Sequence, residues 1–195
     1  MNEPAPSAVE TLLGQAAEQL SDGRLDEAVA TFSSVLAMAP QEVAALRGRG
    51  VAYGQLKRWV DAAADFLAAR DLKPEDGDIW VDLAISLATE HQMYPAIDVL
   101  DTLLAKQPDF VRGRIELGLL HLRLGAIPKG CQELQRALAS RPSPAQRQLI
   151  QSVLHEQERL DKKRIYRPDF EQLHQQSGPA LEGIRTLWRR LFKKG

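Results

Sequence analysis

A single cysteine, Cys131, rules out an internal disulfide framework and leaves no thiol pair to hold a metal. It reads as a small buried hydrophobe. No run of about 18 consecutive apolar residues occurs, so no segment is suited to span a bilayer as a helix. The start, MNEPAPSAVE, has neither a basic residue nor an apolar run, so it lacks the features of a secretory signal, and a cytoplasmic location is expected. The histidines at 91, 121, 155 and 174 show no H-x3-H spacing and no paired carboxylates. No metal and no cofactor are expected.

What is present is ordinary in bulk and uneven in detail. The 195 residues are 44% hydrophobic and 26% charged with a formal net charge of -1, which describes a globular chain long enough to bury a core. Residues 1–160 hold 16 Lys/Arg against 22 Asp/Glu, whereas 161–195 hold 9 against 4. A basic segment therefore follows an acidic body. That body, and the absence of interleaved aromatics in the basic segment, argue against nucleic acid as a partner.

Periodicity is the strongest signal. Pro40, Pro74, Pro108 and Pro142 fall 34 residues apart. Twelve residues before each stands a small residue (Ala28, Ala62, Ala96, Gly130) and eight before it a large one (Phe32, Phe66, Leu100, Leu134). Another small residue, Ala16, Gly50, Ala84 or Gly118, lies in the first half of each unit. Small residues let two helices approach and the large one fills the gap beside them, so each unit reads as an antiparallel helix pair ended by proline. Turns are expected at 21–24, 56–58, 90–92 and 124–128, and nothing shows strand-like alternation.

These residues resemble the tetratricopeptide repeat family, whose 34-residue helix-turn-helix unit carries W-x2-L-G-x2-Y, then A-x3-F, then P. The third unit has Trp80, Ala96 and Pro108, and the second Leu46, Gly50, Tyr53, Ala62, Phe66 and Pro74. The resemblance implies an all-α, right-handed α-solenoid of four repeats at about 9–42, 43–76, 77–110 and 111–144, within 8–142 and after a disordered stretch at 1–7. Ser143, Pro144 and Gln146 make an N-cap, a first-turn proline and a capping-box partner for a closing helix over 143–164. A linker with a short helical stretch is expected over 165–178 and a tail helix over 179–195. Arg114 in the bulky slot, Gln19 and His121 in the aromatic slot, and Gly130 for alanine depart from the family pattern, and looser first and fourth repeats are expected there.

Little in the sequence is arranged for catalysis. GRGVAYG superficially resembles a phosphate loop but lies within a helix and follows no strand, so no nucleotide site and no enzyme are expected. In this family the first helices line a concave groove. Carrying that phase over gives Leu13, Gly14 and Ala17; Arg47, Gly48 and Val51; Asp78, Val81, Asp82 and Ile85; Arg112, Ile115, Glu116 and Leu119. Such a floor suits the apolar face of a helical or extended protein segment, in a non-catalytic scaffold or adaptor. Asp78, Asp82 and Glu116 favour basic residues beside that face and argue against the carboxylate tails that some members clamp. The alternative is that these aliphatics only fill the superhelix.

The segment 179–193 places Ile184, Leu187, Trp188, Leu191 and Phe192 in one stripe, together with Leu181, and Arg185, Arg189 and Arg190 on the rest of the helix. Burying six large apolar side chains contributes roughly 10 kcal/mol gross, and ordering the segment costs a comparable amount. The helix should form only against a surface. Three are open: its own solenoid, a partner protein or another copy of this chain, and an anionic membrane face. The last would make the protein a peripheral assembly factor at the inner face of a membrane.

Overall fold

The structure, a computed structural model, describes residues 7–165. The tail expected over 179–195, and all of the expected linker but Ile165, lie outside these residues. Among the described residues nine helices run in order: α1 (Ala8–Ser21), α2 (Leu25–Met38), α3 (Val43–Gln55), α4 (Trp59–Leu72), α5 (Gly77–Thr89), α6 (Met93–Lys106), α7 (Val111–Arg123), α8 (Ile127–Ala139) and α9 (Pro144–Ile165). No strand occurs among the described residues. Contacts divide the chain into two units, Met1–Ser152 and Val153–Gly195, with the boundary inside α9.

In the first unit each helix packs on its successor through α8, and each odd-numbered helix with its even-numbered partner is one repeat, giving a four-repeat α-solenoid. The spacing rule acts as physics demands. Ala16, Ala28, Ala62, Ala84 and Ala96 are buried at the crossings, and Phe32, Phe66, Leu100 and Leu134 fill the space beside them. At Gly50 an added Cβ would stand 2.8 Å from the Phe66 ring, so alanine there would force the aromatic to move.

The joints also repeat. The residue before each of the first three prolines (Ala39, Lys73, Gln107) has φ between -136° and -129°, outside the helical region, as the proline ring requires. The turn inside each repeat has one residue at positive φ: Gly23, Lys57, His91 and Gly125. Glu42 and Asp76 cap α3 and α5 by accepting from the backbone N–H two residues on, at 3.2 and 3.1 Å.

The departures from the family pattern do not loosen the terminal repeats in the expected way. Trp80 donates its indole N–H to the Pro74 carbonyl at 2.9 Å, and 34 residues later Arg114 Nε donates to the Pro108 carbonyl at 2.8 Å. The guanidinium thus reproduces the tryptophan's hydrogen bond and also reaches Glu133 at 2.8 Å. Gln19 is buried and accepts from the Thr31 hydroxyl at 2.7 Å. At Gly130 a Cβ would fall 2.8 Å from the Gly118 carbonyl, so the missing methyl lets α8 come closer to α7 than alanine would.

Ser7, expected to be disordered, caps α1: its hydroxyl accepts from the Glu10 N–H and Glu10 accepts from its own N–H at 2.6 Å. The capping box of α9 forms as read, with the Ser143 N–H donating to Gln146 Oε1 at 2.9 Å and the Gln146 N–H to Ser143 Oγ at 3.3 Å. Ile150 is buried, but Leu149 remains 46% exposed, so this end of α9 covers only part of its apolar row. The second unit's described part is the remainder of α9, where Leu160 is also 46% exposed.

Candidate partner-binding groove

Small residues such as Gly50 and Gly118 close each first helix on its own second helix, and stacking of the repeats leaves the free faces of the first helices as the candidate surface. α1 packs on α3 and α5 on α7, while α3 and α5 stand further apart. Between α1 and α3 the surface opens into a groove with a cavity volume of about 1100 Å³ whose apolar walls include Leu13, Ala17, Leu20, Val43 and Val51. Val51 and Gln55 join it to a cleft of about 280 Å³ between α3 and α5, lined also by Gly54, Phe66 and Ile85. A third, smaller cavity of about 60 Å³ lies between α5 and α7, beside Glu116 and Arg123.

Not every residue expected in the floor reaches it. Val81 is 0% exposed and Ile115 3% exposed, packed inside the repeats, so neither offers surface. Val81 belongs to the core cluster that holds Ala84, Leu100 and Leu117. Leu119 is half-buried but lines none of these cavities. Gly48 lines the groove, yet its missing methyl admits the Phe32 ring, whose Cζ would lie 2.3 Å from an added Cβ. At Gly14 nothing stands within 4 Å of an added Cβ, so there the α1 backbone faces open space.

The acidic spot expected at Asp78 and Asp82 is neutralised. Arg112 donates through Nη1 to Asp78 at 2.7 Å and through Nη2 to Asp82 at 2.6 Å. From α3, Arg47 lies 3.4 Å from Asp82 and 3.8 Å from Asp76. Lys73 reaches the same Asp76 at 4.0 Å. An alternating chain of charges therefore ties α3, α5 and α7 together across the loosest seam. Burial alone would lower the Arg112 pKa, but its hydrogen bonds to Asp78 and Asp82 outweigh that and raise it.

Glu116 is different. It is half-buried and makes no hydrogen bond or ion pair of its own among the described residues. Desolvation raises its carboxyl pKa and Asp82 adds to the rise, against the partial pull of Arg112 and Arg123. At the α7 end Glu116 is thus a carboxylate that no cation pairs directly, with Arg123 beside the same cavity. Charge counting from sequence missed this, and it missed a second bridge in which Arg49 clamps Asp65 at 2.7 and 2.8 Å and donates to Ser33 Oγ at 3.1 Å. No spacing rule marks either bridge, because the partners come from different helices. Among the described residues no group of His, Cys, Asp and Glu is arranged to hold a metal ion.

The sequence model of the tetratricopeptide repeat matches residues 13–89 and 96–159. The chain belongs to the tetratricopeptide repeat family. Proteins of this family are generally non-catalytic protein-interaction modules. The peroxisomal targeting signal receptor of Candida albicans is 31% identical over 74 residues. That stretch is 38% of this chain and 12% of the receptor. Among solved structures, the crystal structure of MamA shares 19% identity at a TM-score of 0.64, covering 69% of this chain and 79% of that one. The MamA fragment 41-end from Desulfovibrio magneticus RS-1 shares 17% at 0.63, covering 68% and 75%. These likenesses are of tetratricopeptide fold.

Proposed function

We propose that this tetratricopeptide protein is a non-catalytic scaffold or adaptor that holds a helical or extended segment of a partner protein along the free faces of α1, α3 and α5. The observation that carries the reading is the groove itself, whose floor at Leu13, Ala17 and Val51, beside the bare α1 backbone at Gly14, leaves room for side chains that the described residues do not supply. Aliphatics that merely filled the superhelix would leave no such trough. A photoreactive amino acid at Ala17 or Val51 of the full chain should cross-link a discrete partner in cells, whereas the same group at Tyr94, exposed and outside the groove, should not. Equal yields from all three positions would refute the reading.

A second reading keeps the groove and adds a membrane tether. It rests on the basic, apolar-striped segment 179–195 (Arg185, Arg189 and Arg190 beside Trp188 and Phe192), which lies outside the described residues. The same stripe also suits a second copy of this chain. Among the described residues no helix is long and apolar enough to cross a membrane. Binding of the full chain to vesicles rich in anionic lipid, lost when Trp188 and Phe192 become alanine, supports the tether. Binding that survives the double substitution removes it.

A further inference from the structure

The charge pattern along the groove says more about its occupant than its apolar walls do. At the α1–α3 end Leu13, Ala17 and Val51 supply an aliphatic floor, lined also by Glu42, Lys73 and Asp76, and the α1 backbone is bare at Gly14. In the middle, Arg47, Asp82, Arg112 and Asp78 consume one another's charge, so this stretch neither attracts nor repels an ion strongly. At the α7 end Glu116 stands without an ion pair of its own, partly desolvated and beside a small cavity. A half-buried carboxylate in that setting is costly for the free protein, and an incoming cation relieves the cost. Neither neighbouring cation does so fully: both terminal nitrogens of Arg112 already donate to the two aspartates, and Arg123, beside the same cavity, pulls on Glu116 without forming an ion pair with it.

We propose that the groove selects a partner segment placing an apolar side chain over Gly14, Ala17 and Val51 and, further along, a lysine or arginine against Glu116. This rests on the groove being the partner site. It adds polarity and spacing. The anchor site lies between α1 and α3, two to three helix steps from α7, and at about 8–10 Å a step these cover about 20–30 Å. That is about 13–20 residues of a helical ligand at about 1.5 Å each, or about six to nine of an extended one at about 3.3 Å each. The bound segment has a direction, because anchor and cation cannot exchange ends.

The test uses the full-length chain and synthetic fluorescein-labelled peptides carrying one phenylalanine anchor and, from about six to 20 residues along, one lysine, norleucine or glutamate. Fluorescence anisotropy reads the affinities. The expected result is that one spacing favours lysine over norleucine by roughly tenfold, as a half-buried charge pair provides, and disfavours glutamate. Glu116→Gln, which keeps the side chain's shape, should erase the preference, Glu116→Lys should invert it, and Asp71→Asn, outside the groove, should leave it intact. Peptides that bind equally well whatever their charge, or a lysine preference that survives Glu116→Gln, would overturn the inference while the groove reading stands. If no peptide of any charge binds, the groove reading falls and the inference falls with it.

Discussion

The turns within the four repeats offer a test in which packing plays almost no part. Each needs one residue in the left-handed region, and the chain supplies glycine at two (Gly23 at φ 76° and Gly125 at 77°) but Lys57 at 61° and His91 at 62° at the others. A side chain in that region costs about 1–2 kcal/mol. Glycine removes this and gives back about 0.5–1 kcal/mol through the greater freedom of its unfolded chain. Lys57→Gly and His91→Gly should therefore each stabilise by about 0.5–1 kcal/mol, and their effects should add, because the turns belong to separate repeats. Both side chains are exposed, so little contact is lost. The converse is cleaner still: nothing lies within 4 Å of a Cβ added at Gly23 or Gly125, so the loss of about 1 kcal/mol in Gly23→Ala or Gly125→Ala would be purely conformational. Urea denaturation followed by helical circular dichroism reads all four, as shifts of midpoint at constant slope. Lower stability in either new glycine variant, or a neutral Gly23→Ala, would refute the reasoning.

Other substitutions probe the groove directly. Gly48→Ala must displace the Phe32 ring, since its Cβ would fall 2.3 Å from Cζ, and should cost about 1–3 kcal/mol in the same assay. Gly14→Ala meets open space on a helix and should stabilise by up to about 1 kcal/mol while weakening any ligand that approaches the α1 backbone. Arg112→Met leaves Asp78 and Asp82 without their shared partner and should destabilise by about 1–3 kcal/mol, and a double-mutant cycle with Asp82→Asn should return a coupling of the same sign. Glu116 gives a pH signature. Its pKa is raised in the folded state, so the protonated form favours folding; that advantage is complete below the ordinary glutamate range and is lost as pH rises through the raised value. Glu116→Gln should then melt higher than the unmodified chain at neutral pH and converge with it in acid, as thermal melts across that range would report.

The four helix pairs were legible because their cause is local: Ala28, Ala62, Ala96 and Gly130 recur at one spacing from Pro40, Pro74, Pro108 and Pro142 and are needed wherever two helices cross. The start of α9 was legible for the same reason, since the capping box joins Ser143 to Gln146 three residues on, whereas the equivalent box of Ser7 and Glu10 at α1 was missed. The groove was legible in outline only. Helical phase puts Val81 and Ile115 on its margin, and whether a marginal residue is exposed depends on how closely the next helix lies. The charges were the least legible part. Asp78 and Asp82, read alone, make an acidic face, but Arg112 is 34 residues from one and 30 from the other, and only stacking of repeats brings it between them. Arg114 shows the opposite limit: it looked like a lost tryptophan, yet a planar donor of similar reach satisfies the same carbonyl.

The central claim is that partners enter through the free faces of α1, α3 and α5. It is tested most directly by amide hydrogen exchange on the full-length chain, with and without a saturating amount of the tightest-binding lysine peptide. Slowed exchange concentrated in α1, α3, α5 and the Glu116 turn of α7, with α2, α4 and α6 unchanged, is the predicted result. Protection centred on the second helices, with the groove helices exchanging as in the free chain, would contradict it.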